Sequence, residues 1–120
     1  MRNFSPLQLS LKRVYASPSP EDGVRVLVDR LWPRGLSKSK AAIDRWVADL
    51  APSSDLRRWF HHDPELWEEF RRKYELELSQ RGDLLEELRA TAKRTRVTLL
   101  YGSRDGAHNH AVVLRDMLMR

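Results

Sequence analysis

The chain contains no cysteine, so disulfide bridges, thiolate nucleophiles and cysteine-bound zinc are excluded. It has no apolar run near the roughly 18 residues that a membrane-spanning helix needs. Residues 1–11 show no continuous apolar core of the signal-peptide type. These absences predict a cytoplasmic protein without a membrane segment.

Acidic residues are the minority among the charged ones. The chain has 22 Lys and Arg residues against 17 Asp and Glu residues, which gives a net charge of +5 at pH 7. A positive field attracts anions, including nucleic acids, phosphates and carboxylates. Apolar residues make up 41% of the 120 residues and cluster in periodic segments, as in a folded protein. No linker or repeat divides the chain, so residues 1–120 are predicted to form one domain.

Two short aliphatic runs, residues 24–28 and 97–101, predict strands that are buried on both faces. Residues 7–15 begin with an alternation of leucines and polar residues, which predicts a half-buried strand. Residues 37–51 carry apolar side chains at steps of three and four, which predicts a helix that Pro52 ends. Further helices are predicted after residues 53, 63, 82 and 107. The pattern therefore predicts an α/β fold, with a small parallel or mixed sheet of about three strands covered by helices.

Four unusual side chains follow the first buried run: Asp29, Arg30, Trp32 and Arg34. In open α/β sheets, ligands bind beyond the carboxyl ends of the strands. Arg30 and Arg34 could hold an anion, and Trp32 could form a wall of the pocket. Asp29 could act as a general base. The alternative is a purely structural role, with Asp29 paired to an arginine and Trp32 in the core.

The second buried run is followed by a polar loop and a helix. This junction contains five further candidate site residues: Tyr101, Ser103, Arg104, Asn109 and His110. The start of a helix also offers unpaired N–H groups to an anion. His110 is the candidate catalytic residue together with Asp29, because imidazole suits proton transfer near neutral pH. The alternative is an ordinary loop whose Asp105 caps the helix, with His110 as a hydrogen-bonded core histidine.

The histidines do not form a recognisable metal site. His108 and His110 are two residues apart, so they would not share one face of a helix, and no standard zinc spacing is present. We therefore predict neither a metal nor a cofactor. Residues 60–63 are either a lid over the strand ends or an exposed turn, and Arg57 and Arg58 are predicted to lie on a solvated helix face.

These stretches resemble the YeaO-like family, small bacterial proteins that belong to a group of domains of unknown function. The resemblance is carried by RVLVDRLWPRG at residues 25–35, LAPS at 50–53, FH at 60–61, TLLY at 98–101 and NHA at 109–111. It implies a compact α/β domain over nearly the whole chain. It also places a set of candidate residues at motif positions: Asp29, Arg30, Trp32, Arg34, Tyr101, Asn109 and His110. His62 and His108 fall outside the motifs, and the resemblance implies no particular reaction.

The leading hypothesis is a cytoplasmic domain that binds a small anionic or polar ligand where the two buried strands end. Whether the domain is an enzyme is left open, as is its oligomeric state. One alternative is a nucleic-acid-binding or regulatory module with an arginine-rich surface, whose affinity would fall steeply with salt. The other is a non-catalytic protein-interaction domain, which would expose an apolar patch of several hundred Å².

Overall fold

The computed structural model describes residues 7–120. Four parallel strands form one sheet in the order β1-β4-β2-β3: β1 is Leu9–Arg13, β2 is Val24–Leu27, β3 is Arg45–Trp46 and β4 is Val97–Tyr101. The predicted α/β class is confirmed, with one strand more than the three expected. None of the helices in residues 7–120 is long and apolar enough to cross a membrane. Residues 1–6, part of the segment on which the signal-peptide prediction rests, lie outside the described residues.

The two predicted buried strands lie side by side in the middle of the sheet. Val24 of β2 pairs with Val97 of β4, and Leu27 pairs with Leu100. All five residues of β4 are buried, as their near-continuous aliphatic sequence predicts. Because the two strands are parallel neighbours, their carboxyl ends meet at the same edge of the sheet.

Within residues 7–120, five α-helices accompany the sheet: α1 is Lys38–Ala41, α2 is Ser54–Phe60, α3 is Trp67–Ser79, α4 is Gly82–Arg94 and α5 is His110–Leu118. The last four cover one face and form the main core with strand residues such as Val26 and Leu99. Leu27 and Leu100 point to the other face, because side chains alternate along a strand. There they form a smaller core with Val14, Trp32, Leu36 and Ile43.

The helix predicted over residues 37–51 is wrong. α1 ends after one turn, because Ala42 adopts a left-handed conformation with φ 50°. The following residues instead extend along the free edge of β2, where the N–H of Asp44 donates to the carbonyl of Arg25 and the N–H of Val47 donates to that of Leu27. A helical spacing of apolar residues is therefore overridden by the hydrogen bonds that the sheet edge offers.

Two boundaries also differ from the prediction. β1 ends at Arg13 rather than near residue 15. α3 ends at Ser79, and α4 begins at Gly82, next to the predicted start. α5 begins at His110 rather than near residue 107, because the Asp105 carboxylate accepts the N–H groups of residues 107 and 108 and keeps them in a turn.

Candidate functional site

A cavity of about 400 Å³ opens beyond the carboxyl ends of β2 and β4. Its walls come from the segment after β2, from α2 and the turn that follows it, and from the β4–α5 loop. A second cavity of about 260 Å³ adjoins it, and the two share Leu31, Pro52, Arg57, His62, Ser103 and His110. We call the two together the strand-end cleft. Its size suits a small ligand, since such sites usually measure about 300–1,000 Å³.

Arginines and histidines make up most of the charged and titratable side chains that line this cleft. All four histidines of the chain line the larger cavity, together with Arg57 and Arg58. Within residues 7–120, no carboxylate lines the larger cavity, and Asp29 is the one acid that lines the smaller. The charges around the cleft therefore favour an anion.

Arg57 is the charged group best placed to meet a ligand. It lies on α2, lines both cavities and is exposed. Its guanidinium forms neither a hydrogen bond nor an ion pair with any side chain or carbonyl in residues 7–120, whereas the neighbouring Arg58 binds the carboxylate of Asp55. Arg57 therefore keeps its full set of donors for an anion.

The turn after α2 holds two histidines in a strained backbone conformation. His61 ends the helix with φ 43°, and its N–H donates to the carbonyl of Arg57 at 2.9 Å; His62 follows with φ 55°. A left-handed conformation costs an L-residue about 1–2 kcal/mol, and strain of this kind is concentrated at functional sites. Here the strained backbone accompanies the placement of the imidazoles of His61 and His62 at the cleft.

Asp29 and His110 lie together at the inner end of the cleft. The N–H of Gly102 donates to Asp29 Oδ2 at 2.8 Å, which ties the end of β2 to the end of β4. His110 Nε2 lies 2.9 Å from the carbonyl of Val28 and 3.1 Å from Asp29 Oδ1. Asp29 Oδ1 is buried and has no aligned hydrogen bond, because the ring N–H is directed at the carbonyl. The 3.1 Å contact is therefore electrostatic rather than a second hydrogen bond.

The neutral ring of His110 is expected to carry its proton on Nε2. A carbonyl oxygen can only accept, so the nitrogen that faces Val28 has to donate. Long-range proton–nitrogen NMR correlation, recorded at a pH where the ring is neutral, should show the Nε2–H tautomer for His110. An Nδ1–H tautomer would contradict the contact with Val28, and the exposed His61 provides the internal comparison.

Three further predicted residues line the cleft but are held by backbone groups. Arg30 donates through Nε and Nη2 to the carbonyls of Pro52 and Ala51, at 3.2 Å each. Asn109 is 3% exposed and caps α5, since its side chain accepts the N–H of residue 112 and donates to the carbonyl of residue 105. The backbone carbonyl of Ser103 accepts from the Arg13 guanidinium at 2.9 Å. Each of them shapes the cleft through these bonds.

The other four predicted site residues do not line the cleft: Trp32, Arg34, Tyr101 and Arg104. Trp32 packs on the opposite face of the sheet, where its Nε1 donates to the carbonyl of Leu36 at 2.8 Å. Tyr101 is 7% exposed, and its ring belongs to the main core. Arg34 and Arg104 are exposed in loops. The prediction that Trp32 and Tyr101 form walls of the pocket is corrected accordingly. The apolar walls are instead formed by Leu31, Pro52, Phe60 and Phe70.

Sequence reasoning did not select Arg57, His62 or Leu31 as site residues. Arg57 was predicted to lie on a solvated helix face, and its helix reaches the strand ends only through the tertiary fold. His62 lies in a segment with two interpretations, a lid or an exposed turn. The structure describes an exposed turn that also lines the cleft, and the neighbouring Phe60–His61 motif was the signal available.

Comparison with known proteins assigns the chain to a family. A family model described as "Inactive DUF488-N3 subclade" matches residues 8–120. The chain belongs to that subclade. It is 41% identical over 112 residues to the uncharacterized protein YeaO of Escherichia coli strain K12, covering 93% of this chain and 97% of YeaO. It is 42% identical over 111 residues to the uncharacterized protein Rv3073c of Mycobacterium tuberculosis, covering 92% of this chain and 93% of that protein. The YeaO-like resemblance is thereby confirmed, and no solved structure matches the chain.

Proposed function

We propose that this domain binds a small anionic ligand in the strand-end cleft without converting it to a product. The observation that supports this most strongly is the gathering of all four histidines around one cleft that Arg57 also lines. The family description "inactive" supports binding without turnover. In this proposal Asp29 and His110 position the end of the cleft and do not transfer protons to a substrate.

Arg57 supplies the main charge in this proposal. A free guanidinium binds carboxylates and phosphates through two parallel N–H···O bonds. The neighbouring imidazoles add N–H donors. Leu31 and Phe60 add apolar side chains to the lining of the same cleft.

The nucleic-acid alternative has less support, because much of the arginine surface is neutralised by acids. Within residues 7–120, ion pairs bind seven arginines other than the buried Arg25 to carboxylates: Arg45, Arg58, Arg71, Arg72, Arg89, Arg115 and Arg120. Acids interspersed in this way weaken a continuous positive face. The interaction-domain alternative would require the large exposed apolar residues to form one continuous patch, and no observation supports that arrangement among residues 7–120.

An Arg57→Ala substitution is expected to weaken the binding of inorganic phosphate by about 10-fold to 100-fold. Hydrogen bonds to a charged group are worth about 1.5–3 kcal/mol, which corresponds to that range of affinity. The melting temperature should stay within about one degree, because Arg57 is exposed and has no partner among the described residues. Isothermal titration calorimetry measures the first quantity and calorimetric melting the second.

Arg34→Ala is the matched control, because Arg34 is also an exposed arginine and does not line the cleft. Its variant should bind phosphate as the wild type does. Equal losses for the two variants would show that binding depends on overall charge, and an undiminished affinity of Arg57→Ala would overturn the proposed site.

A further inference from the structure

The strand-end cleft has two chemically different parts. One part carries the cationic and imidazole groups, with Arg57 and His62 lining both cavities. The other part is apolar and consists of Leu31, Pro52, Phe60 and Phe70. The rings of Phe60 and Phe70 stack with centroids 4.3 Å apart, so this part is a rigid surface. A ligand that fills the cleft has to satisfy both parts.

Leu31 stands out in the apolar part, because it is 67% exposed. A single exposed leucine is common on protein surfaces, but this one lines both cavities of the cleft. The side chains of the two preceding residues are held there: that of Asp29 accepts the N–H of Gly102, and that of Arg30 donates to the carbonyls of Ala51 and Pro52. Leu31 therefore follows two anchored residues, and an apolar ligand surface could cover its exposed side chain.

The size of the cleft also indicates an organic ligand. The larger cavity alone, at about 400 Å³, falls within the range of sites that enclose small organic molecules. An inorganic anion at Arg57 would leave Leu31, the exposed residue of the apolar part, in contact with water. Burial of that part by a ring would add a favourable hydrophobic contribution.

We infer that the ligand is an aromatic organic anion, a ring that carries a phosphate or a carboxylate group. The charged group binds Arg57, and the ring covers the exposed side chain of Leu31. This inference rests on the proposed function and specifies its ligand class. It requires only binding, so no bond is formed or broken.

The inference predicts an order of affinities for four probes. Phenyl phosphate should bind at least about tenfold more tightly than inorganic phosphate, because the ring removes apolar surface from water. Phenol, which lacks the anion, should show no measurable binding. Benzoate distinguishes the two head groups: binding tighter than that of phenyl phosphate indicates a carboxylate ligand, and weaker binding indicates a phosphate ester.

Two leucine variants separate the ring contact from general surface effects. Leu31→Ala should weaken phenyl phosphate binding about threefold to tenfold and leave inorganic phosphate binding unchanged. Leu76→Ala is the matched control, since Leu76 is also 67% exposed but lies on α3 and lines neither cavity of the cleft. Its variant should bind both anions as the wild type does.

The failure of this inference and the failure of the proposed function give different results. If inorganic phosphate and phenyl phosphate bind equally, both depending on Arg57, the aromatic ligand is refuted and the anion site stands. Equal effects of Leu31→Ala on both anions would likewise refute the ring contact. If none of the three anions binds, the proposed function is overturned and this inference with it.

Discussion

A Gly23→Ala substitution is expected to destabilise the protein by more than about 3 kcal/mol. Gly23 precedes β2 with φ 66° and ψ −135°, a conformation that L-residues rarely adopt. A Cβ at this position would lie 2.2 Å from the carbonyl oxygen of Arg96. That same oxygen accepts the N–H of Val24 at 2.9 Å and begins the pairing of β2 with β4. The new methyl group would therefore push apart the two strands at the centre of the sheet.

Urea denaturation of three glycine variants separates the cost of the steric clash from the cost of the backbone strain. Gly35 has φ 81° but open space around it, so Gly35→Ala isolates the backbone strain and should cost about 1–2 kcal/mol. Gly82 is the first residue of α4 and has neither constraint, so Gly82→Ala should be neutral or stabilise by up to about 1 kcal/mol. A Gly23→Ala variant no less stable than Gly35→Ala would contradict the described approach of the two strands.

An Asp22→Ala substitution is expected to cost about 3–5 kcal/mol, because it leaves a buried guanidinium without its counter-charge. Arg25 is 4% exposed, and its Nη1 lies 2.6 Å from Asp22 Oδ2. Its other donors bind the carbonyls of Ala41 and Ala42 and cannot neutralise it. Lys12 also donates to Asp22, at 3.1 Å. Thermal and urea unfolding of the variant give the change in the free energy of unfolding.

The loss of stability caused by Asp22→Ala should depend on pH. Burial acts to raise the pKa of Asp22, but hydrogen bonds from the Ser19 N–H, Lys12 and Arg25 outweigh it, so the pKa lies below its ordinary value of 3.8. A carboxyl group with a lowered pKa in the folded state stabilises the protein fully above its unfolded value. That contribution is lost as the pH falls through the folded pKa. The difference between wild type and variant should therefore be largest near neutrality and shrink below pH 3.8.

Asp55→Ala is the control for Asp22→Ala. Asp55 also pairs with an arginine three residues away, Arg58, but their side chains are 90% and 72% exposed. Exposed pairs of this kind contribute about 0–1 kcal/mol, so its loss should be small. Similar costs for the two substitutions would show that the Asp22–Arg25 pair is more solvated than the structure describes.

The centre of the fold follows from the sequence because its signals are local. The aliphatic runs that contain Val26 and Leu99 have one stable environment, a strand covered on both faces. Ser53 caps α2 and Asp63 caps the helical turn at Pro64–Leu66, both through side chains that sequence alone identifies. The edge of the sheet at which the cleft lies was also predictable, because the carboxyl ends of neighbouring parallel strands meet at the same edge.

The parts of the fold and of the site that the sequence did not predict depend on contacts between distant segments. The segment around Trp46 has helical spacing but pairs with β2, because a free sheet edge offers bonds that the local sequence does not reveal. Trp32 is one of the predicted site residues that follow the first buried run, yet the turn carries it to the opposite face of the sheet. Arg57 has the pattern of a solvated helix face, and only the packing of α2 brings it to the strand ends.

The most direct test of the central claim is an NMR titration of the protein with inorganic phosphate, observing the side chains of the histidines, the arginines and Trp32. The account predicts that Arg57 and the cleft histidines shift together and yield one dissociation constant. It also predicts that Arg34 and the Trp32 indole, which lie away from the cleft, do not shift. Unchanged histidine signals at saturating phosphate, or shifts spread over all exposed arginines, would contradict an anion site at the ends of β2 and β4.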